Sequence, residues 1–262
     1  MTVNYGTQLR EWRQRRRLSQ LDLALDADIS ARHLSFVETG RAQPSCEMVM
    51  RLAERLDVPL RERNVMLTAA GFAPVFSQRP LDDPALQAAR GAIELVLKGH
   101  EPFPALAIDR HWTMVMANAA VAPLLAGVCA PLLKPPVNVL RLSLHPEGLA
   151  PRIANLTEWR THLLERLRRQ IEITADPLLI DLLHELKGYP AVSAAAPRPA
   201  QPDLAGVAVP LRLVTEGGIL SFFSTTTVFG TPVEVTLAEL ALEAFFPADP
   251  QTGEIIRGMA AG

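Results

Sequence analysis

Residues 17–44, RLSQLDLALDADISARHLSFVETGRAQP, decide how the chain reads. Ser19 is a good N-cap with Asp22 three positions on to complete a capping arrangement, and Ser30 is a second N-cap eleven residues later. Two short helices therefore start close together across a tight turn. Leu23, Ala24 and Ala27 form the inner stripe of the first, and the two alanines are small enough to let another helix cross closely. On the second helix Leu34 and Val37 stand at i, i+3 and face a core. At about 100° per residue, Ala31, Arg32, Ser35 and Thr39 then point the opposite way, with His33 and Phe36 on the flanks. That outward face is short, polar and cationic, and a protein interior has no use for it.

A helix-turn-helix places its second helix in the major groove, N-terminal end first. Small residues such as Ser30 and Ala31 at the helix start allow close approach. Arg32 can make a bidentate contact to guanine O6 and N7, Ser35 can donate or accept, and Phe36 can touch a thymine methyl. Gln20, beside the N–H groups that open the first helix, is the candidate for a phosphate contact, as is Arg41 in the loop 40–44. The run RLSQxxLAxxAxIS…LSFVETGRAxPS resembles the XRE (lambda-repressor-like) helix-turn-helix family, matching at Ser19, Gln20, Leu23, Ala24, Ala27, Ser30, Leu34, Glu38, Gly40, Arg41 and Pro44. The resemblance implies a five-helix, all-α, lambda-repressor-like DNA-binding domain in which an arginine of the first helix, here Arg13, pairs with Glu38. An ordinary helical hairpin inside a larger all-α protein is the alternative on periodicity alone. The glycine C-cap in Glu38-Thr39-Gly40-Arg41, lying within the matched motif, moves the balance to double-stranded DNA. For His33 and Phe36, packing and base reading both stay open.

With 262 residues, and about 100–200 residues per domain as a guide, the chain has room for two domains. Its formal net charge is -2, yet residues 1–65 carry 11 Arg and no Lys against 9 Asp and Glu, which makes +2 and leaves -4 for the remainder. The sign suits nucleic acid, but the imbalance is far from that of a strongly basic domain, so the motif carries the case. Cys46 and Cys129 are isolated, as in a reduced, cytoplasmic protein. No apolar run approaches the ~18 residues that span a membrane, and residues 1–12, MTVNYGTQLREW, hold no signal-peptide core, so a cytoplasmic location is expected. The six histidines show no HExxH or HxH spacing, and GxSxG, P-loop and GxGxxG motifs are absent. No catalytic residue, metal or cofactor is expected.

Taken in order, helix one is predicted over about 5–17, a fourth helix from the Ser45 cap to about Leu56, and a fifth from Pro59 to Ala70, ended by Gly71. Pro74 and Pro80 mark residues 72–83 as a linker. Asp83-Pro84 restarts structure with an N-cap and a first-position proline, and Leu86, Ala89, Ile93 and Val96 face inward before the stop at Gly99. Residues 105–109 and 112–117 read as a hairpin around Arg110-His111, followed by a helix from Asn118. A long helix over 156–174 buries Trp159, Leu163, Leu164, Leu167 and Ile171 and exposes Arg160, Arg166 and Arg169. Asp176-Pro177 caps another helix. The Ala/Pro-rich stretch 191–202 is predicted to be a flexible loop, and residues 207–215 and 219–229 a second hairpin. Residues 235–246 fit either period; a strand is preferred because it turns Glu239 and Glu243 to solvent.

The residues NVLRLxLHPEGL at 138–149, Leu167-Arg168-Arg169, ILSFFSTTTVFGTP at 219–232 and ELALEAFFPAD at 239–249 resemble the MmyB-like ligand-binding domain found behind XRE helix-turn-helix domains in bacterial regulators. The resemblance implies a PAS-like α+β domain and an apolar pocket for a small apolar or fatty-acid-like ligand. Candidate walls are Met114, Met116, Phe222 and Phe223, although only one of the two phenylalanines faces inward from a regular strand. Arg141 is the candidate anchor for a carboxylate; plain core for the walls, and bracing of the Pro146 loop for Arg141, are the alternatives.

The expectation is thus a DNA-binding domain over 1–71, a linker over 72–83 and a ligand-binding domain over 84–262. Together they would make a homodimeric transcription regulator, expected to repress. A C-terminal domain that only dimerises or binds a partner protein is the alternative, and a haem or metal sensor using His111 or His145 a third.

Overall fold

The computed structural model describes residues 4–190 and 209–261, so the predicted loop at 191–202 and the start of the second hairpin lie outside the described residues. Chain order gives α1 (Tyr5–Arg15), α2 (Gln20–Asp26), α3 (Ala31–Glu38), α4 (Cys46–Arg55), α5 (Leu60–Ala69) and α6 (Gln87–Gly99). Next come β1 (Ala105–Ile108), β2 (Met114–Ala117), α7 (Val139–Leu144), α8 (Leu156–Thr174) and α9 (Pro177–Gly188). The chain closes with β3 (Leu211–Thr215), β4 (Gly218–Val228), α10 (Val235–Ala238), β5 (Ala241–Pro247) and α11 (Pro250–Ala261). Two compact units result: the first runs to Pro80 and takes in Thr231–Ala238, and the second holds Leu81–Gly230 and the chain from Glu239.

Local chemistry starts the helices of the first unit. Asn4, Ser19, Ser30 and Ser45 each accept an otherwise free N–H of the first turn. At Ser19 the capping box is complete, its own N–H donating to Asp22 Oδ2 at 2.9 Å. Arg17 and Asp28 close α1 and α2 in the left-handed region with φ of 57° and 53°, the role Gly40 plays after α3. Leu9, Leu23, Leu34, Leu52, Leu56 and Met66 are fully buried in one cluster; burying a side chain of this size contributes about 1.5–3 kcal/mol. Gly6 lets α1 touch the end of α3, for a β-carbon there would lie 2.5 Å from the Glu38 carbonyl oxygen and 2.6 Å from that of Val37.

Residues 72–80 are packed within this unit. Asn64 of α5 donates to the Phe76 carbonyl at 2.7 Å and accepts from the N–H groups of Val75 and Phe76. Residues 231–238 join the same unit: the Val235 N–H donates to the Ser77 carbonyl at 2.9 Å. The Glu234 carboxylate accepts from the N–H groups of Arg79 and Leu237 at 2.6 and 3.1 Å. The strand expected from residue 235 is therefore a short helix first, capped by Glu234, and a strand only from Ala241.

The second unit is α+β and PAS-like as expected: a five-stranded sheet in the order β2-β1-β5-β4-β3, every neighbouring pair antiparallel. Trp159, Leu163 and Leu167 of α8, Leu179, Leu182 and Leu186 of α9, and Leu140 and Leu144 of α7 pack with Leu213, Leu220 and Phe222 of the sheet. Asp83 and Asp176 cap where predicted, each followed by proline. Leu86, Ile93 and Leu97 are the buried stripe of the α6 region, while Val96 is exposed. The helix expected from Asn118 is absent: two short 3-10 turns, Ala122–Leu125 and Ala130–Leu133, stand there, and Pro123, Pro131, Pro135 and Pro136 deny a longer helix its N–H donors. No helix among the described residues is long and apolar enough to cross a membrane.

Gly6→Ala is expected to lower the stability of the first unit by about 1–3 kcal/mol, since backbone rather than a flexible side chain must give way. Urea unfolding followed by circular dichroism reads the shift, and an unchanged midpoint would show that α1 and α3 are not held at this spacing.

Candidate DNA interface and ligand cavity

α3 divides as its spacing demands. Leu34 and Val37 are buried, whereas Arg32 and Ser30 are exposed and Ala31, Ser35 and Phe36 half-buried. The Arg32 guanidinium lies over the Phe36 ring at 5.3 Å, and that of Arg41 lies 5.9 Å from the same ring. One aromatic ring so holds two cations beside each other at the exposed end of the helix, where each stacked contact is worth about 0.5–1 kcal/mol. Ser30 spends its hydroxyl oxygen on the His33 N–H, so its direct role is to cap.

The orientation of that face is set from below. Arg13 donates Nε to Glu38 Oε1 at 2.6 Å and Nη2 to Oε2 at 3.0 Å, and its Nη1 holds the Leu18 carbonyl at 2.8 Å. Gln20, expected at a phosphate, instead gives its side-chain N–H to Glu38 Oε2 at 2.8 Å. The amide nitrogen carries two N–H donors, and Glu38 takes one of them. Burial alone would raise the Glu38 carboxyl, but the hydrogen bonds from Arg13 and Gln20 and the charges of Arg13 and Arg10 outweigh it and hold the group below the usual glutamate range.

The second unit contains a cavity of about 110 Å³ between the helical layer and the sheet, many times the room that one water needs. Its walls are almost wholly carbon. Met114 and Phe222 line it, as do Trp112, Leu140, Trp159 and Phe245. Met116, Phe223 and Arg141 do not. A β-bulge between Ala107 and Ile108 pairs Ile108 with Met114 but Ala107 with Met116, which turns the two methionines to opposite faces despite their spacing of two. Met116 lines a separate surface hollow with Arg90, Glu94 and Lys98. Phe223 stacks on Phe246 at 5.3 Å on the other face of the sheet. Arg141 is exposed and bound bidentately by Glu185 at 2.8 and 2.7 Å, with the Tyr189 hydroxyl donating to the same carboxylate. That glutamate raises the Arg141 guanidinium further and occupies its Nε–Nη2 edge.

The charged pair that does face the cavity is Arg166 and Glu243, both expected on the solvent side. Arg166 Nη2 donates to Glu243 Oε1 at 2.5 Å and to the Thr226 hydroxyl at 3.1 Å, and Thr226 donates to the same Oε1 at 2.9 Å. The guanidinium lies 4.9 Å from the Trp112 ring centre. Trp112 itself holds φ at 64°, unusual for a bulky residue. Its indole N–H donates to Gln170 at 2.7 Å, and Gln170 donates in turn to the Arg110 carbonyl. Arg166 lies three residues after Leu163 and seven after Trp159, on the buried edge of α8, and that spacing was the signal for it. For Glu243 the signal was a single carboxylate inside the apolar run Ala241–Pro247.

His111 and His145 have other work. His111 Nε2 lies 2.9 Å from Asp176 Oδ2, and His145 accepts the Glu147 N–H and packs edge-on against Tyr189. No cluster of metal-ligating side chains stands among the described residues.

Family models match both units: a helix-turn-helix over residues 9–63 and the MmyB-like transcription regulator ligand binding domain over residues 89–258. The chain belongs to the MmyB-like regulator family. It is a DNA-binding transcription regulator with a ligand-binding domain, and the arrangement matched is that of a regulator rather than an enzyme. No curated protein matches the chain. Among solved structures, an RNA-binding light-oxygen-voltage receptor is similar at 13% identity with a TM-score of 0.29. The alignment covers 100% of this regulator and 65% of that chain, so the regulator spans about two thirds of its length.

Because Glu38 titrates below its unfolded value, its contribution is present above the ordinary glutamate range and is lost as pH falls through the folded value. The helix-turn-helix unit of the regulator is therefore expected to lose stability as pH falls below the ordinary glutamate range. Glu38→Gln should flatten that dependence, and Glu38→Ala should cost about 3–5 kcal/mol by stranding Arg13. Denaturation midpoints across this pH range check both. Equal slopes in wild type and Glu38→Gln would remove the pair from this role.

Proposed function

We propose that the regulator reads a specific operator as a homodimer through α3 and is controlled by a small apolar molecule held in the cavity of its second unit. The observation that carries the DNA half is the exposed Arg32–Phe36–Arg41 cluster on a helix whose other side is fully engaged in the core. Arg32 has the reach and donor geometry for guanine, Ser35 sits one turn along the same face, and Arg41 is placed for the backbone. A helix of eight residues reads few base pairs. Two copies related by a two-fold axis would read half-sites ~34–36 Å apart, which supports a dimer. The ligand half is supported by the apolar walls of the cavity. A fatty acid anchored at Arg141 has no support, since that side chain faces solvent beside Glu185.

With an operator selected from random DNA, Arg32→Ala is expected to weaken specific binding by roughly 5- to 150-fold, the ~1–3 kcal/mol of one bidentate base contact, and to leave binding to random DNA within a few-fold. Arg41→Ala should weaken both alike and lower the slope of affinity against salt by about one. Equal losses for Arg32→Ala on both DNAs would take Arg32 out of base reading. For the ligand half, mass spectrometry of protein purified under native conditions and then denatured is expected to release a small apolar molecule.

A further inference from the structure

Among the described residues lining the cavity, Arg166 and Glu243 are the charged ones, and they engage each other. Glu243 meets the guanidinium at both oxygens, Thr226 joins the same pair, and the Trp112 ring covers it. His162 stacks on Trp159, and burial, with the charge of Arg166 beside it, holds it below the usual histidine range, so it adds no cation at neutral pH. Outside the Arg166–Glu243 pair, the hydrogen-bonding capacity of the wall belongs to two hydroxyls. Ser143 accepts from the Trp159 indole N–H at 2.9 Å, and among the described residues neither its hydroxyl proton nor the Ser224 hydroxyl is engaged.

We propose that the cavity selects ligands with an uncharged hydrogen-bonding head on an apolar body, such as an alcohol, ester or ketone, and that Glu243 discriminates against carboxylates. This rests on the proposal that the cavity binds a small apolar molecule at all. A carboxylate head would set a second anion beside one guanidinium between apolar walls, and like charges so close resist joint ionisation. A hydroxyl or carbonyl head instead pairs with Ser143 and Ser224 and leaves the buried ion pair whole. Glu243 is thus a specificity residue that acts by repulsion, and Arg166 is not an anchor, because its charge is already neutralised.

Full-length protein titrated with octan-1-ol and with octanoate at pH 8 tests this, read by the fluorescence of Trp112 and Trp159 in the cavity wall. Wild type is expected to bind octan-1-ol about tenfold more tightly or better, the size of a close like-charge effect. Glu243→Gln keeps the shape, leaves the Arg166 charge uncompensated, and is expected to invert the order. Octanoate binding at least as tightly as octan-1-ol to wild type would overturn the head-group proposal and leave the cavity a ligand site. If neither compound binds wild type, the ligand proposal falls and this one with it. The wild-type comparison decides the head-group preference, and an unchanged order in folded Glu243→Gln would show that desolvation of the carboxylate, not Glu243, sets it.

Discussion

In each unit an arginine and a glutamate, taken out of water together, fix the surface that matters. Arg13 and Glu38 stand 25 residues apart and join α1 to the last residue of α3; Arg166 and Glu243 stand 77 apart and join α8 to β5. Such pairs are not the strongest way to hold a fold, since apolar side chains of like volume often serve as well or better. Their two-pronged geometry fixes distance and twist together. At Glu38 this matters because α3 has only two buried anchors, Leu34 and Val37, and two points do not define the roll of a helix. The third, polar, anchor does, and from it follows which way Arg32 and Ser35 look.

Gly6 serves the same end by a different route. It brings the backbone of α1 against the carbonyls of Val37 and Glu38, close enough for Arg13 to reach Glu38 from the same helix. Gln20 then fills the remaining reach of the carboxylate. The carboxylate is consequently hydrogen-bonded by Arg13 and Gln20 with the Arg10 charge 3.5 Å away, and its depressed titration is the mark of those partners rather than of exposure.

What could be read from the sequence was whatever depends on neighbours in the chain. Ser19 with Asp22, Ser30, Ser45, Asp83-Pro84 and Asp176-Pro177 open helices where expected, because a cap is chemistry across three residues. The span of α8 follows from its 3.6-residue stripe in the same way. The cavity was harder, because its faces depend on partners far along the chain. Met114 and Met116 share a face in any regular strand, and only the bulge opposite Ala107 and Ile108 separates them. Glu243 looked like a solvent residue for want of a visible partner, and that partner, Arg166, was itself assigned to solvent. Each error hid the other: a buried charge is implausible alone and plausible only as a pair. Arg141 drew attention as the odd cation in an apolar run, but Glu185, 44 residues on, was invisible to local reading.

The stretch between β4 and β5 belongs in part to the first unit. β4 carries Phe222 and Ser224, β5 carries Glu243 and Phe245, and all four line the cavity. Between the two strands the chain leaves the sheet, and residues 231–238 pack as part of the first unit, with Val235 fully buried and the Glu234 carboxylate bound at both ends. A ligand can alter DNA binding only by interacting differently with two states of the protein. Linkage makes any such effect reciprocal: binding at one site changes the affinity of the other by the same factor.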